Sequence, residues 1–165
     1  FGPLSAGEFA AVDGDARYEL YCMSHTNDIA VIAAHDKMVA VNNALLVDLT
    51  GQINGETLGT EIYSGTGGAF AFAVGALHAK GGRAVTVLPS TSIVGGERRS
   101  RIVPMFPQGS AVTVPRVYAD IFVTEYGIAR LKGKTIRRRI EELIAIAHPD
   151  FRADLRAEAR RLYAA

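Results

Sequence analysis

A run of small, flexible residues, Ser64-Gly-Thr-Gly-Gly68, is the feature of this sequence best suited to chemistry. Glycine lets a ligand approach the main chain closely and lets amides point at a negative oxygen. The residues that follow, 69–80, read as a helix, so unpaired N–H groups and the helix dipole would add to that attraction. Ser64, Gly65, Gly67 and Gly68 are therefore expected to form an anion or oxyanion site. A tight turn in which the glycines only relieve crowding explains the same spacing, because a glycine cluster is a weak motif. No Gly-Lys-Ser/Thr follows, so the run is not a P-loop, and it is not a dinucleotide fingerprint. Lys80, at the end of the same helix, could meet a phosphate as a mobile point charge or simply complement the helix C-terminus. Asn27 lies in a polar turn, where its amide could orient a carbonyl or carboxylate or only cap a helix. Glu56 and Glu125 could serve as base or nucleophile if desolvated, or pair structurally with turns and arginines.

Other chemistries find less support. The four histidines are far apart and no cysteine joins them, so no metal is expected. Ser64 and Ser100 lack a Gly-x-Ser-x-Gly elbow. Lys134 and Arg137 to Arg139 read as a solvated helix face. Cys22 is the single cysteine, which rules out an internal disulfide. The net charge of +1 argues against a general nucleic-acid binder. Apolar runs such as 69–77 fall short of the roughly 20 residues that span a bilayer, and no charged leader opens the chain. A cytoplasmic protein is expected. With 48% apolar and 21% charged residues among 165, the chain can fill one ordinary domain core.

These residues need elements to position them. Residues 1–17 read as a loose lead-in and 18–165 as the domain. Alternation over residues 17–23 predicts a strand. A short helix should open at 29 after the Asn27/Asp28 cap. Residues 37–41 and 44–49 read as paired strands around an Asn42-Asn43 turn. The helix over 69–80 should end at Gly81-Gly82, and 84–88 should be a buried strand. Residues 89–100 read as an exposed, mobile loop. Residues 111–114 and 121–124 are further strands, 128–131 a helical turn, and Thr135 caps a helix reaching 147. Another helix begins at Pro149. The fold class expected is α/β, an open mixed sheet with helices on its faces and a helical C-terminal tail.

Several of these pieces occur in one order that resembles a known family. Asn27-Asp28 is followed by Val47-Asp-Leu-x-Gly-Gln-Ile-Asn54, then by Tyr63-Ser-Gly-Thr-Gly-Gly68, Lys80-Gly-Gly82 and Leu88-Pro-Ser-Thr91. Ser100-Arg-Ile-Val-Pro104, Val123-Thr-Glu-Tyr-Gly127, Leu131-Lys-Gly-Lys-Thr135 and Ala147-His-Pro-Asp-Phe-Arg152 complete the series. Across residues 18–152 the series is similar to the acetyl-CoA hydrolase/transferase family, which includes 4-hydroxybutyrate and succinyl-CoA:acetate CoA-transferases. The resemblance implies a CoA-transferase-like domain forming the C-terminal half of an enzyme that moves CoA between small carboxylic acids or hydrolyses a short acyl-CoA. It implies ping-pong transfer through a glutamyl-CoA thioester, with acyl-CoA and a carboxylate as substrates and no metal. It also implies an N-terminal half of the same enzyme as partner, and a homodimer or other homo-oligomer.

By position, Gly67 and Gly68 fall on the loop that meets the thioester. Ser64, Gly65 and Lys80 fall among the positions that contact coenzyme A. Asn27 falls on an asparagine that holds the reacting carboxyl group. The family's glutamate lies upstream of the segment matching Tyr18, and nothing here matches it, since Glu8 and Glu19 stand in a different context. The chain alone is therefore expected to be inactive. The acidic residue and arginine that often follow the glycine loop are replaced by Ala71 and Val74. A CoA- or nucleotide-binding module without chemistry is the alternative.

Overall fold

The computed structural model describes residues 5–163. Three short helices come first, α1 (Ala6–Val12), α2 (Met23–Thr26) and α3 (Ile29–Ala33). Strands β1 (Val39–Asn43), β2 (Leu46–Asp48), β3 (Ile53–Asn54), β4 (Thr57–Leu58) and β5 (Glu61–Ile62) follow, and then helix α4 (Ala69–His78). The chain continues through β6 (Arg83–Val87), β7 (Thr91–Val94), β8 (Glu97–Ser100), β9 (Ile102–Val103), β10 (Ile121–Thr124) and β11 (Gly127–Arg130). Helices α5 (Ile136–Ala145) and α6 (Arg152–Tyr163) close it.

The β-branched run at Arg83–Val87 becomes the inner strand of a four-stranded sheet ordered β1-β6-β10-β11. Its neighbours β1 and β10 run parallel to it, and β11 returns antiparallel to β10. Alternate residues of this sheet, Ala40, Ala84, Thr86, Phe122 and Ala129, are buried. Helix α4 packs on β1 and β6, and α5 on β11. In α5, Ile140, Leu143 and Ile144 fall on one side at helical spacing and join Phe122, Leu131 and Ala84 in a single core. Thr135 caps α5 by accepting the Arg138 amide. The expected open mixed α/β sheet with a helical tail is the fold observed.

Helix α3 lies against α4, and the approach is close. A Cβ built on Gly75 of α4 would stand 2.6 Å from Cβ of Ile32, so only glycine admits the crossing. At the far end of α4, a Cβ on Gly82 would overlap the carbonyl oxygen of Ala76. The helix terminator expected at Gly81-Gly82 is thus fixed by space, and Gly81 supplies the positive φ of +71°.

Five local expectations are corrected. Residues 17–23 form no strand: they have no ladder partner, Tyr18, Leu20 and Tyr21 are exposed, and α2 begins at Met23. Strands β1 and β2 do not pair with each other. Asn42 and Asn43 continue β1 beside β6, and the chain then crosses to a second sheet ordered β3-β2-β9. Residues 89–100 are a β-hairpin and not a mobile loop. Gly95 and Gly96, at φ +60° and +83°, make the two-residue turn that joins β7 to β8. Residues 111–114 contribute only a bridge from Val114 to Ile53. Residues 128–131 are not helical, because Gly127, at φ +139°, turns the chain back along β10 as β11. Within the lead-in, Ser5 and Glu8 form a capping box that starts α1.

Candidate active site

The glycine loop is held at its start by one carbonyl. The amides of Tyr63 and Ser64 both donate to the main-chain oxygen of Glu56, at 2.7 and 3.0 Å. Glu56 therefore contributes its backbone to the site, and its carboxylate makes no hydrogen bond among the described residues. Beyond that anchor the loop opens. The Ala69 amide closes a turn on the Thr66 carbonyl at 3.3 Å. Among the described residues, the amides of Gly65, Thr66, Gly67 and Gly68, and of Phe70 and Ala71 in the first turn of α4, have no acceptor. Residues 64–67 are exposed. A Cβ at Gly65 or Gly67 would meet nothing within 4 Å. Gly67 takes φ +51°, and Gly68 caps α4 with no side chain of its own. Unsatisfied donors at the start of a ten-residue helix attract negative charge.

Asn27 reaches this loop from the other side. It ends α2, and its neighbour Asp28 starts α3 by accepting the Ala30 and Val31 amides at 2.7 and 3.0 Å. The Thr26 hydroxyl donates to Oδ1 of Asn27 at 3.1 Å, which leaves Nδ2 turned toward Gly68. A Cβ on Gly68 would lie 3.0 Å from that Nδ2 and 2.9 Å from the ring of Phe72. The glycine is needed there so that amide, ring and backbone can meet. From this contact a shallow groove of about 750 Å³ runs between α3 and α4. Asn27, Asp28, Ala30, Ala33, Ala71 and His78 are among the residues that line it.

The fold thus brings Asn27 to Gly68, at the end of the loop that begins at Ser64 and carries Gly65 and Gly67. Lys80 lies apart from them, at the other end of α4, about 15 Å along its axis. Its ammonium is exposed and 3.9 Å from Asp36, which is also exposed, a loose pair that leaves it available to an anion. Glu125 is elsewhere. Its carboxylate accepts the hydroxyl and the amide of Ser90 at 2.6 and 2.9 Å. Burial pushes that carboxyl up, but the two Ser90 bonds, its own backbone and His148 together hold it below the ordinary range. It stays ionised and ties β10 to the start of the β7–β8 hairpin. Thr26, Phe72 and the groove were not foreseen. The only local trace of them was an aromatic residue four positions after Gly68, a spacing that places both on one helix face.

The family described as "Acetyl-CoA hydrolase/transferase C-terminal domain" matches residues 7–159. The chain is 43% identical over 152 residues to a 4-hydroxybutyrate coenzyme A transferase from Clostridium kluyveri, covering 92% of this chain and 35% of that protein. It is 44% identical over 145 residues to a butyryl-CoA:acetate CoA-transferase from Anaerostipes caccae, covering 85% and 32%. Among solved structures, a 4-hydroxybutyrate CoA-transferase from Porphyromonas gingivalis matches with TM-score 0.75 and 37% identity over 96% of this chain and 35% of that one. RipA from Yersinia pestis matches with TM-score 0.76 and 39% identity, over 84% and 31%. The chain spans about a third of the length of the relatives it matches. A glycine loop with free amides at a helix start, set within a match that covers most of the chain, places this chain in the acetyl-CoA hydrolase/transferase family, as its C-terminal domain.

Proposed function

We propose that this domain supplies the oxyanion and CoA-binding part of an enzyme that transfers CoA between short carboxylic acids or hydrolyses a short acyl-CoA. The observation that carries the reading is the set of unbonded amides from Gly65 to Gly68, open to solvent and flanked by Nδ2 of Asn27. An acyl-CoA thioester carbonyl gains negative charge when attacked, and donors already aimed at that oxygen stabilise it without rearranging. Coenzyme A is here a substrate. Its thioester end would meet the glycine loop, and its phosphates would lie toward Lys80, with the groove beside α4 between them. The length of α4 suits a long, extended ligand better than a compact one.

In this reading a glutamate carboxylate, supplied by the part of the enzyme outside this chain, attacks the thioester carbonyl. The C–S bond breaks, leaving an acyl-glutamyl anhydride and CoA thiolate. The thiolate then attacks the glutamyl carbonyl, releasing the first carboxylate and leaving glutamyl-CoA. A second carboxylate reverses the two steps and departs as its CoA thioester, while water in its place gives hydrolysis. Splitting the transfer this way replaces one difficult step by easier ones. The amides and Asn27 would hold each developing oxyanion in turn. Ala71, where the family often carries a charged residue, leaves that part of the groove wall apolar, and Val74 is buried.

The test uses acetyl-CoA and succinate with the isolated chain and with the full-length protein that carries it. The chain alone should release no thiol and form no succinyl-CoA. The full-length protein should turn over, and borohydride should trap a glutamyl thioester formed from acetyl-CoA. A full-length protein that binds CoA yet yields no trapped thioester would make this a binding module, and turnover by the isolated chain would refute the external glutamate.

A further inference from the structure

The four-stranded sheet has two faces, and only one is covered among the described residues. In-register partners lie on the same face of a sheet, and alternate residues of a strand lie on opposite faces. The register therefore aligns Asn43, Val87, Val123 and Ile128 across all four strands, with Val41, Val85 and the buried Ile121 beside them and Val39 at the end. Helices α4 and α5 join the core through the opposite face, that of Ala84, Phe122 and Ala129. The face of Val39, Val41 and Ile128 leaves these three at 55%, 62% and 58% exposure, and Val85, Val87 and Val123 between them are half-buried. Three of the four strands are parallel. Sheets built from parallel strands are almost always covered on both faces, because both carry apolar side chains. Strand β1 is also an edge, with no neighbour on its outer side among the described residues.

We propose that this open valine-rich face is the docking surface for the amino-terminal portion of the full-length family protein. This rests on the functional reading above, which requires a second part of the enzyme. Two observations choose that occupant. The relatives are about three times as long as the segment they share with this chain, and the shared segment is their C-terminal domain, so the remaining two-thirds lies on the amino-terminal side. The open face also borders the exposed arginines Arg83 and Arg130, which lie on it by register and form no ion pair among the described residues. The covering layer is accordingly an apolar surface with acidic residues at its rim.

Thiol labelling tests this. In a background with Cys22→Ser, single substitutions Val41→Cys and Ile128→Cys report on the face, and Ala153→Cys on α6 serves as control. Each is made in the 165-residue chain and in a chimera where the chain replaces the matched third of the Clostridium kluyveri relative. Maleimide should react rapidly with both face positions in the chain alone. It should react at least 100-fold more slowly with them in the chimera, and equally fast at Ala153→Cys in both. Comparable rates at the face in the two contexts would overturn the proposal. So would slow labelling in the chain alone, which speeds up on dilution if a second copy covers the face and is unaffected by dilution if the chain's own residues do. Should the chimera unfold, the amino-terminal portion of that relative, co-expressed with the chain, should co-purify with it and be lost with Val41→Glu, and co-purification indifferent to Val41→Glu would count against the surface. CoA-transfer activity of the chimera is read separately: protection without activity sinks the functional reading alone, and activity without protection sinks the docking surface alone.

Discussion

At the scale of single residues, the glycine loop separates open space from space that the protein's own packing fills. Gly65 faces a void, whereas Gly68 is pressed between Asn27 and Phe72. Two substitutions should therefore behave differently. Gly65→Val in the full-length protein should leave the thermal melt nearly unchanged but weaken CoA binding at least tenfold, read by calorimetry. Gly68→Ala should cost about 1–3 kcal/mol, as overpacking does, visible as a lower denaturation midpoint. A Gly65→Val protein that binds CoA normally would remove the loop from the site. The loop was legible in the sequence because glycine spacing before a helix is a local signal. Its partner was not. Asn27 looked equally like a cap, and only the packing of α3 on α4 makes its amide and the loop neighbours.

At the scale of elements, the hairpin of β7 and β8 is secured to the sheet by one carboxylate. Glu125 holds Ser90 through two hydrogen bonds, and its proton affinity in the folded state is below the ordinary value. A carboxyl with a depressed folded pKa contributes stability that is present above its unfolded value and fades as pH falls through the folded one. Urea midpoints should therefore separate wild type from Glu125→Gln most at neutral pH, and the gap should close in acid below the ordinary glutamate range. A gap that widened in acid would reverse the assignment. The helices were legible because their caps are local: Asp28 and Thr135 announce α3 and α5 from sequence alone. Strand pairings were less so. Asn42-Asn43 resembles a turn, but β6 competes for β1 through five aligned residues, and this parallel ladder wins. Gly95-Gly96 did carry a hairpin signal, which the surrounding charge of Glu97, Arg98 and Arg99 disguised as a loose loop.

At the scale of the whole molecule, the mixed α/β class followed from the alternation of strand and helix patterns, while strand order depends on partners distant in sequence. The covered face of the sheet builds the core, and Val39, Val41 and Ile128 stay exposed on the opposite one. A single contact between α3 and α4 links these scales. Ile32 meets Gly75 where α3 crosses α4, roughly one turn after Asp28 and two turns after Gly68. The two helices are the arms of a pair of tongs, that crossing is the pivot, and Asn27 and the glycine loop are the tips. A single methyl group at the pivot, in Gly75→Ala, should spread the tips apart. The expected result in the full-length protein is a fall in kcat larger than any change in CoA affinity, from a position that no substrate touches. Unaltered turnover in that variant would mean the jaws are set by the tips themselves.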